Sequence, residues 1–284
     1  MAKRLVALLT LFLTLLCACA QAAEMPTYDG PAWTFEVPLS SLDDSLLTLA
    51  SPLAPMEDSG EPKDLVTALS RRSGENGENL NGGVRKASNV SMQLREDAYD
   101  ALVLMFNTAE TEGVELYLRQ GYRSHEDLTQ RYENAVKRGD SDVPQPGQTD
   151  YQTGLAAMVV GKAWRAKPLK TETFTQTPEC QWLAENCDRF GFILRYPEFK
   201  SELTGADFEP WHLRYVGTDI ARYIHREGIC LEEFLEVKTQ AEADFAQQGG
   251  DLAAAIAAER LPEGPVLLDE VGPDGDRELT IFHD

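Results

Sequence analysis

Between Leu94 and Leu118 the hydrophobic pattern changes its period with no linker in between, and that change limits what the whole chain can fold into. In "LREDAYDALVLMFNTAETEG" apolar residues recur at Leu94, Ala98, Ala101, Leu102, Met105 and Ala109, the spacing of a helix with one buried face, closed by Gly113. "VELYL" follows at once, with Val114, Leu116 and Leu118 on one side, the alternation of a half-buried strand. The same mixture continues. Ser124 is placed to cap a helix over "HEDLTQRYENAVKRG", and "LAAMVVG" reads as a buried strand. Thr177 and Pro178 open the helix "ECQWLAENCDRF", which Gly191 closes; "FILRY" and "LRYV" read as strands, and "TDIARYIHREG" as a helix. Helices and strands mix without regular alternation, which predicts an α+β fold with a central antiparallel sheet flanked by helices.

The 284 residues suffice for one substantial core plus extensions. Residues 1–22 have the layout of a secretory signal peptide: Lys3 and Arg4, an apolar run from Leu5 to Leu16 too short to span a bilayer comfortably, then small residues. Ala20-Gln21-Ala22 offers a cleavage site, and Leu16-Cys17-Ala18-Cys19 an imperfect lipoprotein-type alternative that would leave Cys19 lipidated. The expected location is therefore outside the cytoplasm, with no transmembrane span. Residues 23–48 read as an extended lead-in, 49–238 as the main domain, and 239–284 as an appendage of one helix ("DLAAAIAAER") and a hairpin turning at Gly-Pro-Asp-Gly. A formal charge of −21, spread along the chain, excludes a nucleic-acid partner, because phosphate binding needs clustered Lys and Arg.

After the signal, Cys180, Cys187 and Cys230 remain. The first two, seven apart in a helix, would stand roughly 10 Å apart, beyond the reach of about 7 Å between Cα atoms that a disulfide allows. Cys187 with Cys230 is the expected pair in an oxidising compartment, and three buried free thiols are the alternative.

Glu209-Pro210-Trp211-His212 is by itself a weak signal, since a Glu and a His three apart are often an ordinary hydrogen-bonded pair. Its company makes it specific. "QGYRSHEDLTQRY", "PGQTDYQTGLA", "WLAENCDRFGFILRYP", "LTGADFEPWHLRYVG" and "GICLEEFL" follow one another in the order and spacing of the VanY-type D-alanyl-D-alanine carboxypeptidases, LAS-type zinc metallopeptidases that trim peptidoglycan stem peptides. The resemblance covers Leu49 to Leu235, "PKDLV" at 62–66 included. It implies a D-alanyl-D-alanine carboxypeptidase/hedgehog-like core and a zinc held by a His and an Asp of a pattern resembling S-E-H-Q-T-G-L-A-x-D, with the His of E-P-W-H as third ligand. Three such ligands leave the fourth position open for a water made acidic by the metal, and the Glu of E-P-W-H takes its proton.

Laid on that pattern, Thr149 to Met158 puts Tyr151 at the ligand His position and Met158 at the ligand Asp position, with seven-residue spacing intact. His212 is the one ligand retained; Glu209 stands at the general base and Arg123 at the family's holder of substrate charge. A phenol must lose a proton of ordinary pKa about 10 to coordinate well, and a thioether suits softer ions than zinc. The resemblance therefore implies a degenerate site with no cofactor expected, binding a peptidoglycan stem peptide or another peptide terminus without cutting it. Gln152 and Trp211 are candidate cleft residues, Trp211 alternatively core and Arg123 alternatively a loop-pinning ion pair. The competing expectation is an active carboxypeptidase releasing D-alanine through an altered site that recruits His125 or Asp150; His225 reads as a solvated helix residue and His283 as a tail residue.

Overall fold

The computed structural model describes residues 27–259, apart from 59, 76–77 and 141–142, together with the strands Leu267–Val271 and Arg277–Ile281. The signal segment with Cys17 and Cys19, the hairpin turn and His283 lie outside these residues. The chain divides into two compact units, one of residues 33–244 and another formed by the described parts of 1–32 and 245–284.

In the larger unit the elements run in order as β1 (Leu65–Thr67), β2 (Gln93–Arg95), α1 (Glu96–Thr111), β3 (Leu116–Gln120), α2 (His125–Arg138), β4 (Ala156–Gly161), α3 (Pro178–Asn186), β5 (Phe192–Leu194), β6 (His212–Tyr215), α4 (Thr218–Glu227) and all but the last three residues of α5 (Leu231–Gln247). Strands β3, β4, β6 and β5 form, in that order, a four-stranded sheet antiparallel throughout, and β1 pairs with β2 beside it. The α+β fold with a central antiparallel sheet is as the hydrophobic periods predict.

The pleat of the sheet sorts its residues. Leu116 and Leu118 of β3, Ala157 and Val159 of β4, and Leu213 of β6 point to one face, where they pack with Leu102, Met105, Phe106 and Ala109 of α1 and Leu183 of α3. Each fully buried leucine there stabilises the fold by about 1.5–3 kcal/mol. Helix ends follow local chemistry. Ser124 accepts from the Asp127 N–H and Thr177 from the Cys180 N–H, while α2 and α4 close on Gly139 and Gly228 in the left-handed region.

Four details differ from the sequence reading. Strand β3 begins two residues later than Val114 and extends to Gln120. Helix α3 stops at Asn186, and Cys187 opens a separate 3-10 turn before Gly191. The lead-in through residue 48 is not merely extended: Leu39–Ser41 and Asp44–Leu47 are short helices, and Val37, Leu39, Leu42, Leu46 and Leu47 are buried. Finally, α5 runs through residue 239 without a break, so the appendage has no boundary there; it contains α6 (Leu252–Glu259) and the hairpin β7 (Leu267–Val271) and β8 (Arg277–Ile281). In the smaller unit the Asp251 N–H donates to the Tyr28 hydroxyl, and the Tyr28 ring lies against Phe245.

The expected Cys187–Cys230 disulfide is not formed. Cys180, Cys187 and Cys230 are free thiols, all buried, in the apolar surroundings that suit an uncharged thiol.

Candidate functional site

The loop before β4 is shaped by one glycine. Residues Asp150–Thr153 make a 3-10 turn that ends at Gly154 with φ 73°, where a side chain would meet Arg95 and Leu65 at 3.0 Å. A β-carbon is strained there on both counts. The turn carries Tyr151 under the sheet, and the Arg123 N–H donates to the Tyr151 carbonyl at 3.0 Å.

On the face opposite α1, β4 and β6 set Met158 directly across from His212. Tyr151 lies against His212 as a stacked pair, ring centroids 4.5 Å apart, and Tyr196 meets the same imidazole edge-on at 4.8 Å. Glu209 Oε2 is 2.8 Å from His212 Nδ1. A bulge in β3 between Leu118 and Gln120 puts Gln120 opposite Met158, on this face rather than the core face that its alternation with Leu116 and Leu118 predicts. All of these, with Arg123, Arg131, Gln148 and Thr149, line a cavity of about 240 Å³.

Three buried polar atoms in this cleft have no hydrogen-bond partner within the protein: Arg123 Nε, the Tyr151 hydroxyl and His212 Nε2. Arg123 is otherwise held loosely, at 3.4 Å from both Asp127 and Gln120. Burial pushes the Tyr151 phenol well above its ordinary pKa, and Glu209, Tyr196 and Asp150 push the same way against Arg123.

Asp150 has another employment. Its carboxylate is fully buried, 2.7 Å from Arg195 Nε and 3.0 Å from Arg214 Nη1, both guanidiniums being buried as well. Arg195 also forks onto Glu232 of α5 at 3.0 and 2.6 Å, and Arg214 donates to the Leu46 and Thr48 carbonyls at 2.8 and 2.9 Å. Burial acts to raise the Asp150 pKa, but the charges of Arg195, Arg214 and His212 outweigh it and hold the carboxyl below its ordinary value. Recruiting Asp150 to a metal would strip two buried cations of their counter-charge. His125, half exposed at the start of α2 with Asp58 3.8 Å away, does not line the cleft.

Two expected cleft residues are elsewhere. Trp211 is buried in the cluster of Tyr117, Val160, Phe174 and Cys180, edge-on to Phe174, so the core alternative holds. Gln152 faces the other side of the turn, where its side-chain oxygen accepts from the Gly147 N–H at 2.9 Å and shapes the loop. Conversely, the sequence reading gave no role to Tyr196, Arg195 or Arg214; the available hint was the repeated Leu-Arg-Tyr at 194–196 and 213–215.

The sequence model of the family described as VanY, D-alanyl-D-alanine carboxypeptidase, matches residues 91–218. The bifunctional D-Ala-D-Ala dipeptidase and D-Ala-D-Ala carboxypeptidase VanXYC of Enterococcus gallinarum is 32% identical over 137 residues, covering 46% of this chain and 72% of that protein. The chain belongs to the VanY family. Against YodJ of Bacillus subtilis (strain 168) it is 36% identical over 148 residues, 50% of this chain and 54% of that one, so it spans about half the length of this curated relative. Among solved structures, the LD-carboxypeptidase LdcB shares 32% identity at a TM-score of 0.55, covering 64% of this chain and 81% of that one.

Zinc is the metal the VanY resemblance implies, and the donor set here does not fit it. Around His212 stand a carboxylate, a phenol and a thioether, and no cluster of three or more His, Cys, Asp or Glu able to hold a metal ion exists among the described residues. A catalytic zinc takes three nitrogen, thiolate or carboxylate ligands. The positions that the family pattern assigns to ligands do converge; their chemistry has changed.

Proposed function

We propose that this VanY-family chain is an exported, non-hydrolysing member that holds the carboxylate end of a cell-wall peptide in the Arg123 cleft. The observation that carries the reading is the ring of Tyr151 laid on His212 with Met158 across the sheet from it. Side chains at all three ligand positions meet, yet two of them are a neutral phenol and a thioether. What survives is a binding surface. The Arg123 guanidinium, with a buried and unpartnered Nε, is suited to pair with a carboxylate through two parallel N–H donors.

The test is metal content and turnover measured on the same purified full chain. The expected result is substoichiometric zinc, no D-alanine released from a D-Ala-D-Ala-terminated peptide, and binding of that peptide which Arg123→Met abolishes. Stoichiometric zinc with D-alanine release overturns the non-hydrolysing assignment. Export rests on residues 1–22, and N-terminal sequencing of the mature protein checks it: a start at residue 23 supports cleavage after Ala22, and a blocked, lipid-bearing Cys19 the anchored form.

A further inference from the structure

His212 is held from three sides. The Tyr151 ring is stacked on the imidazole and Tyr196 stands edge-on to it, centroids 4.5 and 4.8 Å away, so the ring has little freedom to turn. On the third side Glu209 Oε2 is 2.8 Å from Nδ1. An ionised carboxylate only accepts, so it keeps the imidazole proton on Nδ1 and leaves Nε2 as a bare lone pair. That Nε2 is buried and has no partner within the protein. A carboxylate behind the ring and a free nitrogen in front is how metal-binding imidazoles are supported.

Across the sheet stands a sulfur. The Val159 N–H donates to the Trp211 carbonyl and the Tyr215 N–H to the Leu155 carbonyl, both at 2.9 Å. Hydrogen-bonded pairs alternate along antiparallel strands, so Met158 and His212 form a pair without hydrogen bonds. The His212 N–H accordingly turns to the Glu209 carbonyl, at 3.0 Å. Side chains of such pairs stand closest, with about 4.5–5.5 Å between β-carbons. A methionine turns about three side-chain bonds, which lets its thioether reach toward the facing ring. Both side chains line the cavity, and Met158 is only partly buried, which leaves a way in from solvent.

We propose that His212 Nε2 and Met158 Sδ bind a soft monovalent cation, Cu(I), where the donor set fails zinc. This site goes beyond the carboxylate reading and does not use Arg123. One nitrogen and one thioether are too few donors, and one of them too soft, for zinc. Cu(I) binds with fewer donors and takes thioether sulfur readily. Charge favours it as well. Arg123 and Arg131 line the same cavity and repel a divalent ion twice as strongly as a monovalent one. Glu209, hydrogen-bonded to the ring, supplies the counter-charge.

The experiment is anaerobic titration of the full chain with Cu(I) against a chromophoric Cu(I) chelator, on wild type and on Met158→Leu, which removes the sulfur and keeps the bulk. Wild type is expected to hold one Cu(I) that Met158→Leu holds about 10-fold more weakly or worse, a ligand mattering at least as much as its supporting partner. Cys17, Cys19 and the three buried thiols are competing sulfur sites, so the readout is the difference between the two proteins. Silver(I), a redox-inert stand-in for Cu(I), locates the ion without relying on a variant. It should shift the assigned Met158 methyl resonance and the His212 ring resonances of the wild-type chain together. Equal Cu(I) binding by folded Met158→Leu, or Met158 and His212 resonances unmoved by silver(I), overturns the inference. The carboxylate reading is tested separately by peptide binding to Arg123→Met and stands or falls on that result.

Discussion

Replacing Asp150 by Asn keeps the shape of a fully buried side chain and removes its charge, which makes it the sharpest test of what holds the ligand-position loop. In the native protein one carboxylate sits 2.7 Å from Arg195 and 3.0 Å from Arg214. Asn would turn an amide N–H toward one of the two guanidiniums. Arg195 keeps Glu232, but Arg214 is left with backbone carbonyls alone. Removing one partner of a buried ion pair costs about 3–5 kcal/mol, because a charge remains that nothing balances. For a domain of this size each kcal/mol moves the melting temperature by about 2–4 °C, so the drop should be about 6–20 °C. The charges beside it hold the Asp150 carboxyl below its ordinary value, so its contribution is complete above the unfolded carboxyl's pKa of about 3.9 and is lost as pH falls through the lower folded value. Wild type and variant should therefore converge in stability at strongly acid pH and differ fully at neutral pH. The assay is urea and thermal unfolding of both proteins as a function of pH. A loss below about 1 kcal/mol at pH 7, the scale of an exposed pair, would refute the argument.

Tyr151→His combined with Met158→Asp should give a protein that binds zinc, read by metal analysis after dialysis; a folded double variant that takes up none would show that these are not the ligand positions. The three buried thiols should react slowly with a thiol reagent at pH 8 until the chain unfolds, since burial raises Cys180 and Cys230 to about 11 and Cys187 to about 12; fast labelling of the native protein at all three sites would contradict their burial. Phe199 is 92% exposed at φ 64°, so its side chain packs on nothing that offsets a left-handed backbone. Phe199→Gly should stabilise the fold by up to about 1 kcal/mol, measured by urea unfolding, and a destabilised variant would mean that the ring is held by contacts.

The fold was legible where one local rule acted alone. Period changes at Leu94–Leu118 placed α1 and β3, and Ser124, Thr177, Gly139 and Gly228 marked helix ends that the backbone respects. The family pattern located Tyr151, Met158, Glu209, His212 and Arg123, all of which line one cavity. Legibility stopped where a side chain's direction depended on a distant partner. Gln120 reaches the cleft through a bulge whose cause is pairing with β4, and Gln152 turns away because Gly147 presents its N–H on the other side. Trp211 could be core or cleft until Phe174 was placed beside it. Asp150, adjacent to a ligand position, looked recruitable; Arg195, Arg214 and Glu232, far away in sequence, commit it elsewhere.

The Leu46 and Thr48 carbonyls that receive the Arg214 guanidinium belong to a stretch well upstream of the family match at residues 91–218. A shortened version starting at residue 49 would leave that cation facing a gap at the heart of the sheet, on the very strand that carries His212. Anyone excising the peptidase-like portion for expression, or swapping leader segments between relatives, must carry this upstream strap along or lose the folded product.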